Sequence, residues 1–150
     1  EIELVVAIGK AGKDIAIEHA NAHVFGYALG LDMTRRDLQI ASRDKGRPWE
    51  TGKAFDQGAP IAPLHPASKI GHPVKAAIWV QVDGQDRQRS NIDHLTWSVP
   101  EVIANLSCFF ELRPGDLIFT GTPEGVGKVT RGQTLHGGID GLGELSVKVV

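Results

Sequence analysis

The chain has 150 residues, 41% of them apolar and 23% charged, enough for one globular domain with its own core and too few for a second. A formal charge of -2 with both signs interspersed leaves no basic stripe of the kind nucleic acid needs. The single cysteine, Cys108, excludes an intrachain disulfide framework and a thiolate zinc site and suits a reducing cytoplasm, and no apolar run nears the ~20 residues of a membrane span or resembles a signal peptide.

Residues 4–8 are continuously apolar, as expected of a strand covered on both faces, and residues 9–13 are turn-rich. Glu1 and Glu3 stand at the polar end of that strand. Residues i and i+2 of an extended strand project from one face about 7 Å apart, so these two carboxylates are placed to share a cation. Residues 18–24 are expected to form a short helix, and residues 25–33 a strand whose small residues allow close packing. Thr34 is expected to cap a helix running to about residue 42, with Asp37 answering it in a variant of the capping box. Asp32 then falls at a strand-to-helix junction. Residues 44–66 read as irregular, and the stretch from there to Pro73 brings the count to five of the eight prolines. Residues 75–82 alternate as a strand, Asp83-Gly84 is a hairpin turn signal, and residues 85–89 pair back. Residues 98–110 form the best amphipathic helix, with Val99, Val102, Ile103, Leu106 and Phe110 near a 3.6-residue period. Cys108, inside it, reads as a small core hydrophobe. Pro114-Gly115-Asp116 turns the chain into a strand over residues 117–120, and Gly137-Gly138 and Gly141-Leu142-Gly143 punctuate the closing strands. The fold class expected from these elements is α+β and β-rich, with no internal repeat.

The stretch from Gly30 to Phe55 sets Asp32, Arg35, Arg36, Gln39 and Lys53 beside a Gly46-x-Pro48-Trp49 turn, which suits a pocket for a metal-bound anion better than a scaffold. Arg36 and Gln39 are three apart and share one face if this segment is helical, which leaves Arg35 for the surface. Trp49 reads as packing. By spacing alone Glu1-x-Glu3 is a pair of solvated acids, and Lys53 a solvated loop lysine. His19 and His23, four apart, read as a solvated helix face rather than a zinc site, and no other histidine has a partner pattern. The loop Thr120-Gly121-Thr122-Pro123-Glu124-Gly125-Val126-Gly127 lacks the Lys-Ser/Thr ending of a phosphate loop, so nucleotide binding is disfavoured.

Four blocks carry a resemblance. Glu1-x-Glu3, then Gly26-Tyr27-Ala28-Leu29-Gly30-Leu31-Asp32-Met33-Thr34-x-Arg36-Asp37-x-Gln39, then Lys45-Gly46-x-Pro48-Trp49-x-x-x-Lys53-x-Phe55, and Gly115-Asp116-x-Ile118-x-Thr120-Gly121-Thr122-Pro123-x-Gly125-Val126-Gly127 stand in the order found in the fumarylacetoacetate hydrolase family. Within that family the chain is most similar to the small acylpyruvate hydrolases. The resemblance implies a mixed β-roll with peripheral short helices and a divalent metal on Glu1, Glu3 and Asp32, Mg²⁺ foremost with Mn²⁺ or Ca²⁺ as alternatives. It implies substrate contacts from Arg36, Gln39, Lys53 and Thr122, with Arg36 and Lys53 as the catalytic cations, and a homodimer. The implied reaction is metal-dependent hydrolysis of a C–C bond in an acylpyruvate, most concretely fumarylpyruvate to fumarate and pyruvate in the gentisate branch of aromatic catabolism. Oxaloacetate decarboxylation and oxo-acid tautomerisation or isomerisation are open to the same constellation, because each passes through an enolate. A non-catalytic binding module is the alternative of another class. Family members carry a segment before the Glu-x-Glu strand with a His-x-x-Glu pair that activates water, and no His-x-x-Glu occurs in this sequence. The chain opens inside a strand without methionine, so residues 1–150 are expected to be a single catalytic domain lacking that segment.

Overall fold

Strand β1 (Ile2–Ile8) is buried along its whole length, as its unbroken apolar run requires. In the computed structural model, which describes residues 1–150, β1 lies inside a four-stranded sheet of order β3-β2-β1-β6, with β2 (Val24–Leu31), β3 (His65–Pro66) and β6 (Leu117–Phe119). A second four-stranded sheet has the order β5-β4-β7-β8, built from β4 (Ala77–Val82), β5 (Gln85–Asn91), β7 (Thr134–Ile139) and β8 (Gly143–Lys148). Every pairing is antiparallel, and the helices are short and peripheral, in keeping with a β-rich α+β fold.

The core lies between the sheets. Ile2, Leu4, Val6 and Ile8 of β1 join Leu29 and Leu31 of β2, Ile78, Val80 and Val82 of β4, and Leu135 and Ile139 of β7 in one buried cluster. Side chains alternate along a strand, so Glu1, Glu3, Val5 and Ala7 project from the opposite face of β1. That alternation puts two carboxylates behind a strand that is otherwise apolar. No helix is long and apolar enough to cross a membrane.

Helix α4 (Val99–Phe109) is closed at its N-terminus by a capping box in which Ser98 and Glu101 exchange hydrogen bonds. It buries Val99, Ile103 and Ser107, and the Ser107 hydroxyl accepts the Ile15 N–H at 2.8 Å. This corrects the reading of Cys108, which is exposed because the buried face passes through its neighbour Ser107, four residues after Ile103. The helix expected over residues 18–24 is a 3-10 segment, Ile17–His23, and His23 Nδ1 donates to the Lys10 carbonyl at 2.9 Å. Residues 44–66 are less irregular than their prolines imply, since α2 (Glu50–Lys53) interrupts them and ends on Lys53. Trp49, expected to pack, is 47% exposed.

The Gly137-Gly138 pair lies inside β7 rather than between strands. A Cβ on Gly138 would stand 2.9 Å from the Trp79 indole on β4, so the glycine lets the ring lie over the sheet.

Candidate metal and substrate site

Register builds the acidic centre. β1 pairs with β2 so that Ile2 faces Leu31 and Glu3 faces Gly30, and the Asp32 N–H donates to the Glu1 carbonyl at 2.8 Å. Asp32 is thereby the cross-strand neighbour of Glu1 on the face opposite the core, while Gly30, opposite Glu3, makes room for Val5 and the Phe119 ring, which a Cβ there would approach to 2.7 Å. Oxygens of Glu1, Glu3 and Asp32 lie within 4.8 Å of one another. A slip of one residue would send the acids to the core face and destroy the cluster.

Cations close the site from one side. Lys53 Nζ donates to Asp32 Oδ2 at 2.6 Å and to Glu1 Oε2 at 2.9 Å. Arg36 opens α1 (Arg36–Arg43), and its guanidinium donates to Glu1 Oε1 and to Gln39 Oε1, each at 2.6 Å. The shared face expected of Arg36 and Gln39 is thus realised. Thr34 does not cap α1, because its hydroxyl donates to Glu1 Oε1 at 3.3 Å. Arg35 occupies the N-cap position, and Asp37 makes no capping hydrogen bond either. Arg35 is exposed, as expected of a surface residue, and its guanidinium lies 4.4 Å from the centre of the Phe55 ring.

The loop after β6 covers Glu3. Gly121 donates its N–H to Glu3 Oε2 at 2.8 Å, and this is the only hydrogen bond that Glu3 receives through its side chain. The Thr122 hydroxyl donates to the Ile2 carbonyl at 2.8 Å and accepts from Gln88 Nε2 at 2.8 Å, so this oxygen is engaged within the protein. Gly125 has φ +96°, and a Cβ there would collide with the Arg87 carbonyl, so glycine lets this loop lie against β5. Glu1, Asp32 and Arg36 open onto a cavity of about 750 Å³ whose other walls include Val80, Val82, Arg87 and Lys128.

The three carboxylates are electrostatically unequal. Burial works to raise Glu1, but hydrogen bonds from Lys53 and Arg36 outweigh it and hold its carboxyl below the usual range. Lys53 is held above its ordinary value by Asp32 and Glu1, against its own burial. Glu3, 4% exposed, is pushed up to about 7 by burial, with the negative charges of Asp32 and Glu1 adding and the Gly121 N–H opposing. A hard all-oxygen donor set with negative charge in surplus, already drawing in the Lys53 ammonium, fits a divalent cation.

A pH dependence follows for the metal-free protein. A carboxyl that titrates near 7 when folded and near 4.5 ordinarily keeps its proton in the native state after the unfolded chain has released it. The native state then binds more protons between those values, so stability falls as pH rises from 4.5 through 7, by at most about 3 kcal/mol. Thermal melts at pH 5 and pH 8, with Glu3→Gln alongside, read this out. Glu3→Gln is expected to flatten the trend, and identical trends in the two proteins would contradict the assignment.

The match to the fumarylacetoacetate (FAA) hydrolase C-terminal family spans residues 1–150, and the chain belongs to that family. It is 49% identical over 149 residues to the fumarylpyruvate hydrolase of a Ralstonia species, covering 99% of this chain and 77% of that protein. The crystal structure of fumarylpyruvate hydrolase from Pseudomonas aeruginosa in complex with Mn²⁺ and pyruvate is 70% identical with a TM-score of 0.98, covering 100% of this chain and 64% of that one. A mitochondrial oxaloacetate decarboxylase of Dictyostelium discoideum is 43% identical over 142 residues, covering 95% of this chain and 65% of its own length. The chain thus spans about two thirds of the length of the last two.

Proposed function

We propose that this chain is the catalytic domain of a metal-dependent acylpyruvate hydrolase that cleaves fumarylpyruvate to fumarate and pyruvate. The observation that carries the reading is the Glu1, Glu3 and Asp32 cluster beside Arg36 and Lys53, next to a cavity that is also lined by Arg87 and Lys128, cations without a carboxylate partner. Glu1, Glu3 and Asp32 would hold a divalent ion, Mg²⁺ or Mn²⁺, which when bound supplies Lewis-acid polarisation of the substrate's 2-oxo group. Arg36, held in place by Gln39, offers a planar fork to the adjacent carboxylate, and Lys53 supplies a point charge next to the oxygen on which negative charge grows. Water adds its oxygen to the distal carbonyl carbon and gives up a proton, the bond from that carbon to the neighbouring methylene breaks with its electron pair going to the methylene as the pyruvate enolate, and protonation of the methylene carbon completes pyruvate while the acyl half leaves as fumarate. Thr122 serves through its backbone, given that its hydroxyl is already engaged. A homodimer, as the family resemblance implies, and the reducing cytoplasmic setting that a lone cysteine suits complete the reading.

Arg87 and Lys128, which line the same cavity as Glu1 and Asp32, would select the acyl group. Arg87 is the extra residue of a β-bulge, because Val80 pairs with Gln88 while Gln81 pairs with Asp86. Neither Arg87 nor Lys128 has a carboxylate partner of its own, and Val80, Val82, Val129 and Leu135 form an apolar wall of the same cavity. A long dianion with carbon between its carboxylates matches this layout better than the short oxaloacetate does. Arg87→Gln is expected to lower kcat/KM for fumarylpyruvate about tenfold while leaving the monoanion acetylpyruvate within about twofold.

The decisive test is initial rates of the full-length protein on fumarylpyruvate, acetylpyruvate and oxaloacetate, with Mg²⁺ or Mn²⁺ and after chelation. Fastest metal-dependent turnover of fumarylpyruvate is the expected result. Preference for oxaloacetate would favour the decarboxylase or tautomerase reading, in line with the Dictyostelium relative, and no turnover would favour a binding module.

A further inference from the structure

Gln88 is one of three buried polar side chains in the protein, with Glu3 and Ser107, and it sits on a strand whose other residues are exposed or half-buried. The bulge at Arg87 shifts the alternation so that Gln88 faces inward beside Val80. From the second sheet its amide reaches the first. Oε1 accepts the Ile2 N–H at 3.1 Å, and Nε2 donates to Thr122 Oγ1 at 2.8 Å and to the Pro123 carbonyl at 2.7 Å.

These bonds replace a missing stretch of sheet. In the β1–β2 pairing Glu3 faces Gly30, and the N–H and C=O of Ile2 point to the other edge of β1. That edge is paired by β6 only from Val5 to Ala7. Beyond Phe119 the Thr120 N–H still donates to the Leu4 carbonyl at 3.2 Å, and side chains supply the rest of the ladder. Thr120 Oγ1 donates to the Leu4 carbonyl at 2.9 Å, Thr122 Oγ1 donates to the Ile2 carbonyl at 2.8 Å, and Gln88 accepts from the Ile2 N–H. Both peptide groups flanking the Ile2 side chain are therefore held, and Ile2 is the residue between Glu1 and Glu3. The same amide anchors Thr122 and Pro123, which follow the Gly121 that donates to Glu3.

We propose that Gln88 is a positioning residue for the metal site: it fixes the spacing of Glu1 and Glu3 and seats the Gly121 N–H on Glu3. This rests on the metal-binding reading of the three carboxylates. Like charges on Glu1, Glu3 and Asp32 repel even with Lys53 and Arg36 offsetting part of the charge, and the Gln88–Thr122–Ile2 network holds the backbone against that repulsion. Outer residues that orient metal ligands in this way change affinity by about 10–100-fold when lost. A purely structural glutamine would change thermal stability and leave the folded protein's metal affinity alone.

The test is Mn²⁺ titration followed by the electron paramagnetic resonance of free Mn²⁺, at a temperature well below the melting point of every variant. Gln88→Met keeps length and removes all three hydrogen bonds, and is expected to weaken Mn²⁺ binding about tenfold or more. Gln88→Glu keeps the acceptor for the Ile2 N–H and loses Nε2 donation. It preserves a test if the methionine variant fails to fold, and is expected to weaken binding as well. Ile103→Val, on the buried face of α4 and with no side-chain hydrogen bond to break, lowers stability without touching the network and is expected to bind as the wild type does. Wild-type binding with unchanged affinity in the Gln88 variants would overturn the positioning role alone. Failure of the wild type to bind Mn²⁺ would overturn the metal site and this role with it.

Discussion

Asp32→Asn is expected to weaken Mn²⁺ or Mg²⁺ binding by about 100-fold or more and to bring metal-dependent turnover of fumarylpyruvate to background. Asparagine keeps the shape of the side chain and removes one of only three anionic oxygens groups within reach of a shared ion. The metal-free protein is expected to stay folded, because Lys53 keeps Glu1 as a partner at 2.9 Å and one like charge beside Glu1 and Glu3 has gone. Calorimetric titration with Mn²⁺, a thermal melt after chelation and the fumarylpyruvate assay together give the full pattern. Unchanged affinity and rate in a folded variant would show that these carboxylates are an ordinary acidic patch.

Lys53→Met is expected to separate holding the metal from using it. The Lys53 ammonium stands between Glu1 and Asp32, and the three side chains are 27%, 13% and 28% exposed. That is intermediate between a surface pair and a buried one, so losing it costs about 1–2 kcal/mol in the metal-free state, a fall in Tm of roughly 2–8 °C. Methionine leaves the carboxylates free, so Mn²⁺ affinity is expected to hold or improve and added metal to restore the lost stability. Turnover is expected to fall about 10²–10³-fold, the usual cost of removing one charge aimed at a developing anion. A rate within a few-fold of wild type would remove Lys53 from the chemistry and leave it a counter-ion. Arg36→Lys makes a milder comparison, since it keeps charge near Glu1 and loses the fork that also grips Gln39.

The parts of this protein legible in its sequence are those set by short-range pattern. The apolar run of residues 4–8, the Asp83-Gly84 turn and the 3.6-residue period before Phe110 each fold as their spacing dictates, into β1, the β4–β5 hairpin and α4. The carboxylate spacing at Glu1 and Glu3 and the Arg36–Gln39 face are equally local, and the family blocks pointed to Asp32 and Lys53. What local pattern misread lies where a side chain had two competing partners. Thr34 could cap α1 or reach Glu1, and it reaches Glu1; Cys108 could turn inward, but Ser107 takes that face because its hydroxyl finds the Ile15 N–H.

Tertiary structure alone decided the rest, and the reason is the distance along the chain over which the partners meet. Gln88 and Ile2 are 86 positions apart, and Gly121 and Glu3 are 118 apart. No periodicity links such pairs. They meet because two sheets adopt one register each, because a bulge at Arg87 turns a single glutamine inward, and because β6 stops at Phe119 and leaves the edge of β1 to be completed by side chains. The sequence by itself determined which residues carry the charge and the carboxylate oxygens. The register of β1 on β2 determined how far apart those oxygens stand, which is the distance a shared cation would have to span.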